Sequence, residues 1–249
     1  MFAKNLTTQM IYRIILCCVS GLAVMLTFGI FYAGNGIGNP SWQFLKYYTN
    51  ISNYFVFAVS VTVLADTVKR VYAGEREGYN RKIRTLKFMT TVMIMVTFLV
   101  YIILLGNPFS ANFWRDLGNI SCHVFAPILF IADYFLFEEK KSVSIFAPLL
   151  SLIIPLIYVC YIFILGAAIE NFEYPYFFLD VNELGYGGVI VWVVILVAVF
   201  TVLGYLLWFY NRLTVENKKI KIDLKNVLHT KKAAAPLPEA ECAATDETN

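Results

Sequence analysis

Residues 86–105 read LKFMTTVMIMVTFLVYIILL, twenty positions whose single charge, Lys87, stands second from the start. At 1.5 Å rise per residue such a run measures about 30 Å as a helix, the thickness of a bilayer's hydrocarbon core. Lipid offers no partner to backbone amides and carbonyls, so the run must satisfy them internally as an α-helix, whatever strand preference its valines, isoleucines and threonines carry. Five further blocks read the same way on either side: Ile11 to Tyr32, Phe44 to Val68, Leu117 to Phe137, Ile145 to Ala168 and Gly188 to Trp208. The expected fold class is therefore all-α, a polytopic membrane protein with six transmembrane helices occupying residues 1–213. Composition agrees, since 59% hydrophobic and 15% charged residues in a chain of 249 is too apolar for a soluble domain. Six helices and their loops leave little room for a second folded domain. The first block is longer than a signal-peptide core and no small-residue cleavage pattern follows it, so it is expected to remain as the first helix.

Charge orients the bundle. Of the twenty lysines and arginines, all but Lys46 and Arg115 lie near the N-terminus, from the end of the second block to the start of the third (Lys69 to Lys87), between the fourth and fifth, or from Arg212 onward. The positive-inside rule then predicts both termini in the cytoplasm and the odd-numbered loops outside. The fifth loop agrees: between Glu170 and Gly187 it carries four carboxylates and no lysine or arginine. Trp42, Trp114 and Tyr174 fall at outer boundaries, where interfacial aromatics belong. A net charge of +3 distributed in this way makes no nucleic-acid-binding face. Residues 214–249 form a basic cytoplasmic tail. Its 214–232 portion alternates lysines with Ile220, Ile222, Leu224 and Val227, and reads either as a helix on an anionic leaflet or as a solvated linker. The remainder has the composition of a disordered segment. No internal repeat is visible. The expected partner is the lipid bilayer and the expected location the cell membrane, as a multi-pass integral protein.

Five cysteines show no disulfide or metal spacing, and the two histidines join no carboxylate cluster, so neither a metal nor a cofactor is expected. Chemistry falls to the polar groups placed inside apolar helices, which are expensive there and mark either function or packing. One set is Asn119 and His123, a helical turn apart. The other opens the second block as Lys46, Tyr47, Tyr48, Thr49, Asn50, Ile51, Ser52 and Asn53. Thr49 and His123 both fall roughly 8 to 9 Å below the same boundary, a depth at which they can meet. A threonine hydroxyl beside a neutral imidazole is a nucleophile with its base, and Asn50, Asn53 and Asn119 are candidates to orient the ring or hold an oxyanion. The same residues also read as interhelical hydrogen bonds that register the bundle. Asp133 lies about 15 Å below His123, too far to orient it, and is expected to serve in packing or as a cytoplasmic-side partner for a loop arginine. Asp66, next to Lys69 and Arg70 at the inner boundary, is expected either to pair with them or to face the headgroups. Pro127, Pro148 and Pro155 are expected to bend their helices, which can open a cavity.

The pattern Tyr48-Thr49-Asn50-x-Ser52-Asn53, His123-x-x-x-Pro127, Tyr174-Pro175-Tyr176, Leu179-Asp180 and Gly185-Tyr186-Gly187 resembles the bacterial Pr-six-Pr six-helix membrane proteins over about residues 8 to 213. That family is similar to the eukaryotic androgen-induced membrane proteins, which hydrolyse fatty-acid esters of hydroxy fatty acids with an intramembrane threonine and histidine. The resemblance implies an intramembrane hydrolase of lipid or fatty-acid esters, with Thr49 as nucleophile and His123 as base. Where the eukaryotic branch carries a further histidine, this chain has Ile120. Asp180 and Tyr186 are the candidates for substrate contact from the fifth loop. Two other classes stay open: a carrier or receptor that binds a lipid or small molecule without reacting, and a structural membrane subunit.

Overall fold

The computed structural model describes residues 5–27, 45–74, 80–106, 116–138 and 143–233, with side chains as far as Arg212. Trp42, Trp114, Arg115, the end expected for the first helix and the tail beyond Ala233 lie outside the described residues. Among the described residues there is no strand, and six helices are long and apolar enough to cross a membrane. These are span 1 (Leu6–Thr27), span 2 (Tyr48–Ala73), span 3 (Arg81–Leu105), span 4 (Leu117–Phe137), span 5 (Ala147–Ala168) and span 6 (Val181–Arg212). The chain is a multi-pass helical membrane protein.

Polar caps set where several spans start. Asn5 accepts from the Thr7 amide at 3.0 Å, Asn80 from Ile83 at 3.0 Å, Asp116 from Asn119 at 3.0 Å and Asp180 from Asn182 at 2.8 Å. Each satisfies an amide that the helix itself leaves orphaned. Prolines explain the irregularities. Pro127 has no N–H for the carbonyl a turn earlier, and the turn before it, Ser121–Phe125, widens into a π-helix. Pro155 likewise leaves the Ser151 carbonyl unmatched, and span 5 divides into Ala147–Leu150 and Ile153–Ala168 across a tight turn in which Leu152 donates to Leu149 at 3.1 Å. Span 3 ends in a second π-turn, Tyr101–Leu105. Gly185, at φ 64° and ψ 167°, kinks the first turn of span 6. That last helix runs on to Ala233, so residues 214–232 are helical.

Packing divides the spans unequally. Leu16, Val56, Val63, Ile94 and Phe130 interlock spans 1 to 4. Phe88, Val92, Tyr134, Ala147, Phe200 and Leu207 then attach span 6 and the start of span 5 to spans 3 and 4. Between lipid-immersed helices the attraction is close contact rather than exclusion of water, so small residues matter. Gly204 lets span 6 approach Pro148 so closely that an added Cβ would stand 3.0 Å from the proline's Cβ. About half of span 4 is buried, against 17% of spans 5 and 6, which therefore form the flank of the bundle.

A buried ionic cluster ties the early part of spans 1 and 3 to the late part of spans 2 and 4. Arg13 Nε lies 3.0 Å from Asp133 Oδ1, and Lys87 Nζ lies 2.6 Å from Asp133 Oδ2 and 3.0 Å from Glu138 Oε2. Arg13 also donates to Thr67 Oγ1 at 2.5 Å, and Arg84 stands 3.4 Å from Glu138. Arg13 and Lys87 are fully buried. Of the two roles expected for Asp133, packing or a loop arginine, the structure gives partners on two neighbouring helices, Arg13 and Lys87, whose long stems can follow the helix surface and deliver the charge inward. Asp66 pairs with Arg70 at 3.0 Å, one turn along its own helix, one of the two roles expected for it. These contacts also show that spans 1 to 4 alternate in direction.

Candidate functional site

At the end of the bundle remote from this cluster, span 2 begins at Tyr48 with Thr49 already buried. Its flanking residue Tyr47 offers no side-chain cap. The cap comes from the fifth loop: the Thr49 amide donates to the Tyr176 hydroxyl at 3.3 Å, and the Thr49 and Tyr176 hydroxyls are 3.4 Å apart. Tyr176 is held by stacking on Phe178, with ring centroids 5.0 Å apart. Burial raises its pKa above the ordinary tyrosine value, an effect that the hydrogen bonds with Thr49 oppose, so the phenol stays neutral. A second tyrosine, Tyr158 of span 5, donates to the Lys46 carbonyl at 2.7 Å. Lys46 itself holds its ammonium 4.8 Å from the centre of the Phe172 ring.

Below this layer lies a cavity of about 70 Å³ between spans 3, 5 and 6. Its polar lining is Tyr48, Thr49, Thr97, Tyr158 and Tyr176, and the rest is aliphatic or phenylalanine. Tyr176, Phe178 and Leu179 of the fifth loop are all buried and close it at that end. The Tyr48 hydroxyl is buried with no hydrogen-bond partner among the described residues. A buried hydroxyl left so costs about 1–3 kcal/mol, which a polar atom of a bound molecule would recover.

The expected site residues separate into two groups. Thr49 lines the cavity. Asn53, a turn below, donates from Nδ2 to the carbonyls of Thr49 at 2.9 Å and Cys122 at 3.0 Å, and so locks span 2 to span 4 beside His123. His123 stands outside the cavity lining, stacked on Tyr101 with centroids 3.5 Å apart. Its Nδ1 is 2.9 Å from the Asn119 carbonyl, and Tyr101 donates to Asn119 Oδ1 at 2.6 Å. A carbonyl can only accept, so Nδ1 carries a proton, and in the neutral ring the lone pair is on Nε2. Thr49 and His123 thus belong to a locked helix pair, while their side chains engage different partners. Asn50 is half-buried at the head of span 2. Asp180 caps span 6, and Tyr186 is 73% exposed; neither lines the cavity. Among the described residues no three of His, Cys, Asp and Glu come together as metal ligands would, and Cys17, Cys18, Cys122 and Cys160 are free thiols.

The sequence reading passes over Tyr158, and it takes Tyr48 only as part of the polar opening of span 2; the role of both depends on the cavity. Tyr176 belongs to the Tyr-Pro-Tyr motif but gains its meaning only from the loop's return to span 2. Comparison with protein-family models, curated proteins and solved structures finds no match to this chain.

Proposed function

We propose that the chain takes up part of an acyl chain of a membrane-dissolved lipid in the cavity between spans 3, 5 and 6, with a polar group of that lipid beside Thr49 and Tyr48. The observation that carries this is an apolar cavity, within helices that cross a membrane, whose polar lining includes a buried phenol with no partner among the described residues. Apolar walls with a few polar groups are the usual make-up of a lipid site. The distribution of lysine and arginine supports placing both termini in the cytoplasm and the cavity in the outer leaflet of the cell membrane. Photolabelling with a diazirine-bearing palmitate in phosphatidylcholine vesicles tests the reading. Adducts on span 3, 5 or 6 residues of the cavity, competed by unlabelled palmitate, are expected. Adducts confined to lipid-facing side chains would overturn it.

A second reading adds chemistry to the same site, favoured by the His123 ring whose Nδ1 is engaged by the Asn119 carbonyl, leaving Nε2 to act, and by the Asn53 lock next to it. Together with the likeness to the Pr-six-Pr and androgen-induced families, this supports ester hydrolysis. Thr49 Oγ1 would add to the ester carbonyl and pass its proton to His123 Nε2. The departing alcohol would take that proton, and water would then cleave the acyl-threonine to release the acid. The step requires the Thr49 hydroxyl to exchange Tyr176 for the imidazole. Turnover of p-nitrophenyl palmitate, lost in Thr49→Ala and His123→Ala but retained in Thr49→Ser, is the expected result. Equal turnover in all four proteins would exclude the chemistry and leave binding alone.

A further inference from the structure

The cavity's walls differ in what lies behind them. The three fifth-loop residues on its lining, Tyr176, Phe178 and Leu179, are at most 9% exposed. Two lining residues behave in the opposite way: Leu105 at the end of span 3 is 38% exposed and Leu156 of span 5 is 43% exposed. Side chains that line a cavity and also reach the bundle's outer surface mark where the wall is one side chain thick. Here that surface is the apolar flank of a membrane-spanning helix.

The local structure explains the thin place. Span 3 leaves α-helical geometry at Tyr101–Leu105, and span 5 is broken just before Pro155, itself on the lining. Beyond the break span 5 stands at the flank, held by Tyr158 and Ile162, the only two of its residues from Ile153 to Ala168 that are buried. The volume points the same way. About 70 Å³ is room for on the order of five water-sized spheres, enough for a few methylenes and too little for a whole lipid chain. A chain seated there has to continue outside.

We infer that the cavity opens sideways into the bilayer between Leu105 of span 3 and Leu156 of span 5, so that its ligand is an acyl chain arriving from within the leaflet rather than a solute arriving from water. The inference rests on the binding reading above and adds the route and the physical state of the ligand. Lipid already dissolved in the leaflet reaches the gap without leaving hydrocarbon, and the closed fifth-loop side keeps water from the Thr49 end.

The test is the rate at which the diazirine-bearing palmitate labels the cavity after mixing with the protein in phosphatidylcholine vesicles. Leu105→Trp and Leu156→Trp fill the gap and are expected to slow cavity labelling about tenfold. Leu156→Ala widens it and is expected to speed labelling. Ile157→Trp is the control, being 60% exposed and off the lining, and should label at the native rate. Elution as a single species and an unchanged melting temperature establish that each variant is folded. If both tryptophan variants label as fast as Ile157→Trp, the sideways opening is wrong although binding stands. If the native cavity is not labelled at all, the opening and the binding reading fall together.

Discussion

Replacing Asp133 by Asn removes one negative charge from a site where two buried cations converge. Arg13 at 3.0 Å and Lys87 at 2.6 Å both point at this carboxylate, and all three side chains are at most 1% exposed. The asparagine keeps the shape and one accepting oxygen, so the loss is electrostatic rather than steric. Glu138 then faces Arg13, Arg84 and Lys87, at 3.0 Å from Lys87 and 3.4 Å from Arg84. Breaking a buried pair by deleting one partner costs about 3–5 kcal/mol, because the other charge stays desolvated. That corresponds to roughly a 200- to 4,000-fold change in the folding equilibrium. Steric-trap unfolding in bicelles measures it directly. The double variant Arg13→Met with Asp133→Asn should lose much less than the sum of the two single changes, since it removes the orphaned cation as well. A cost below about 1 kcal/mol for Asp133→Asn would mean that water reaches the cluster and that the burial argument is wrong.

Other substitutions give smaller, separable effects. Thr97 donates to Ser52 at 3.0 Å between spans 3 and 2, and Thr97→Val should cost only about 0.6 kcal/mol, the usual value for a neutral hydrogen bond between membrane helices, read by the same unfolding assay. Gly204→Leu has no space against Pro148 and should cost about 1–3 kcal/mol while loosening the flank, visible as a lower melting temperature. Tyr176→Phe keeps the ring stack but frees the Thr49 hydroxyl. It should cost about 1 kcal/mol and, on the hydrolytic reading, raise fluorophosphonate labelling of Thr49.

Hydropathy located all six spans because length and the absence of charge suffice for that. It placed several starts too late, since the first turns are polar. Span 1 begins at Leu6 rather than Ile11 and span 3 at Arg81 rather than Leu86. The caps Asn5, Asn80 and Asp180 are the local signals that mark these starts, and each stands just before the helix it begins. Arg13 and Lys87 were legible only as topological charges. Their burial depends on Asp133, more than 40 residues away in sequence from either, so no local pattern shows it. Depth matching put Thr49 and His123 at one level, and the bond that joins their helices runs from Asn53, a turn beyond Thr49, to the Cys122 carbonyl. Helical period does not say which way each side chain turns, and that is decided by Tyr176 for one and by Tyr101 with Asn119 for the other.

The cavity is the centre of the account, and a cryo-EM or crystal structure of the protein purified with lipid tests it most directly. Elongated density between spans 3, 5 and 6, leaving the bundle past Leu105 and Leu156 with a polar atom within hydrogen-bond distance of the Tyr48 hydroxyl, is the expected result. Ordered lipid on the outer faces with side chains collapsed into that space would contradict it.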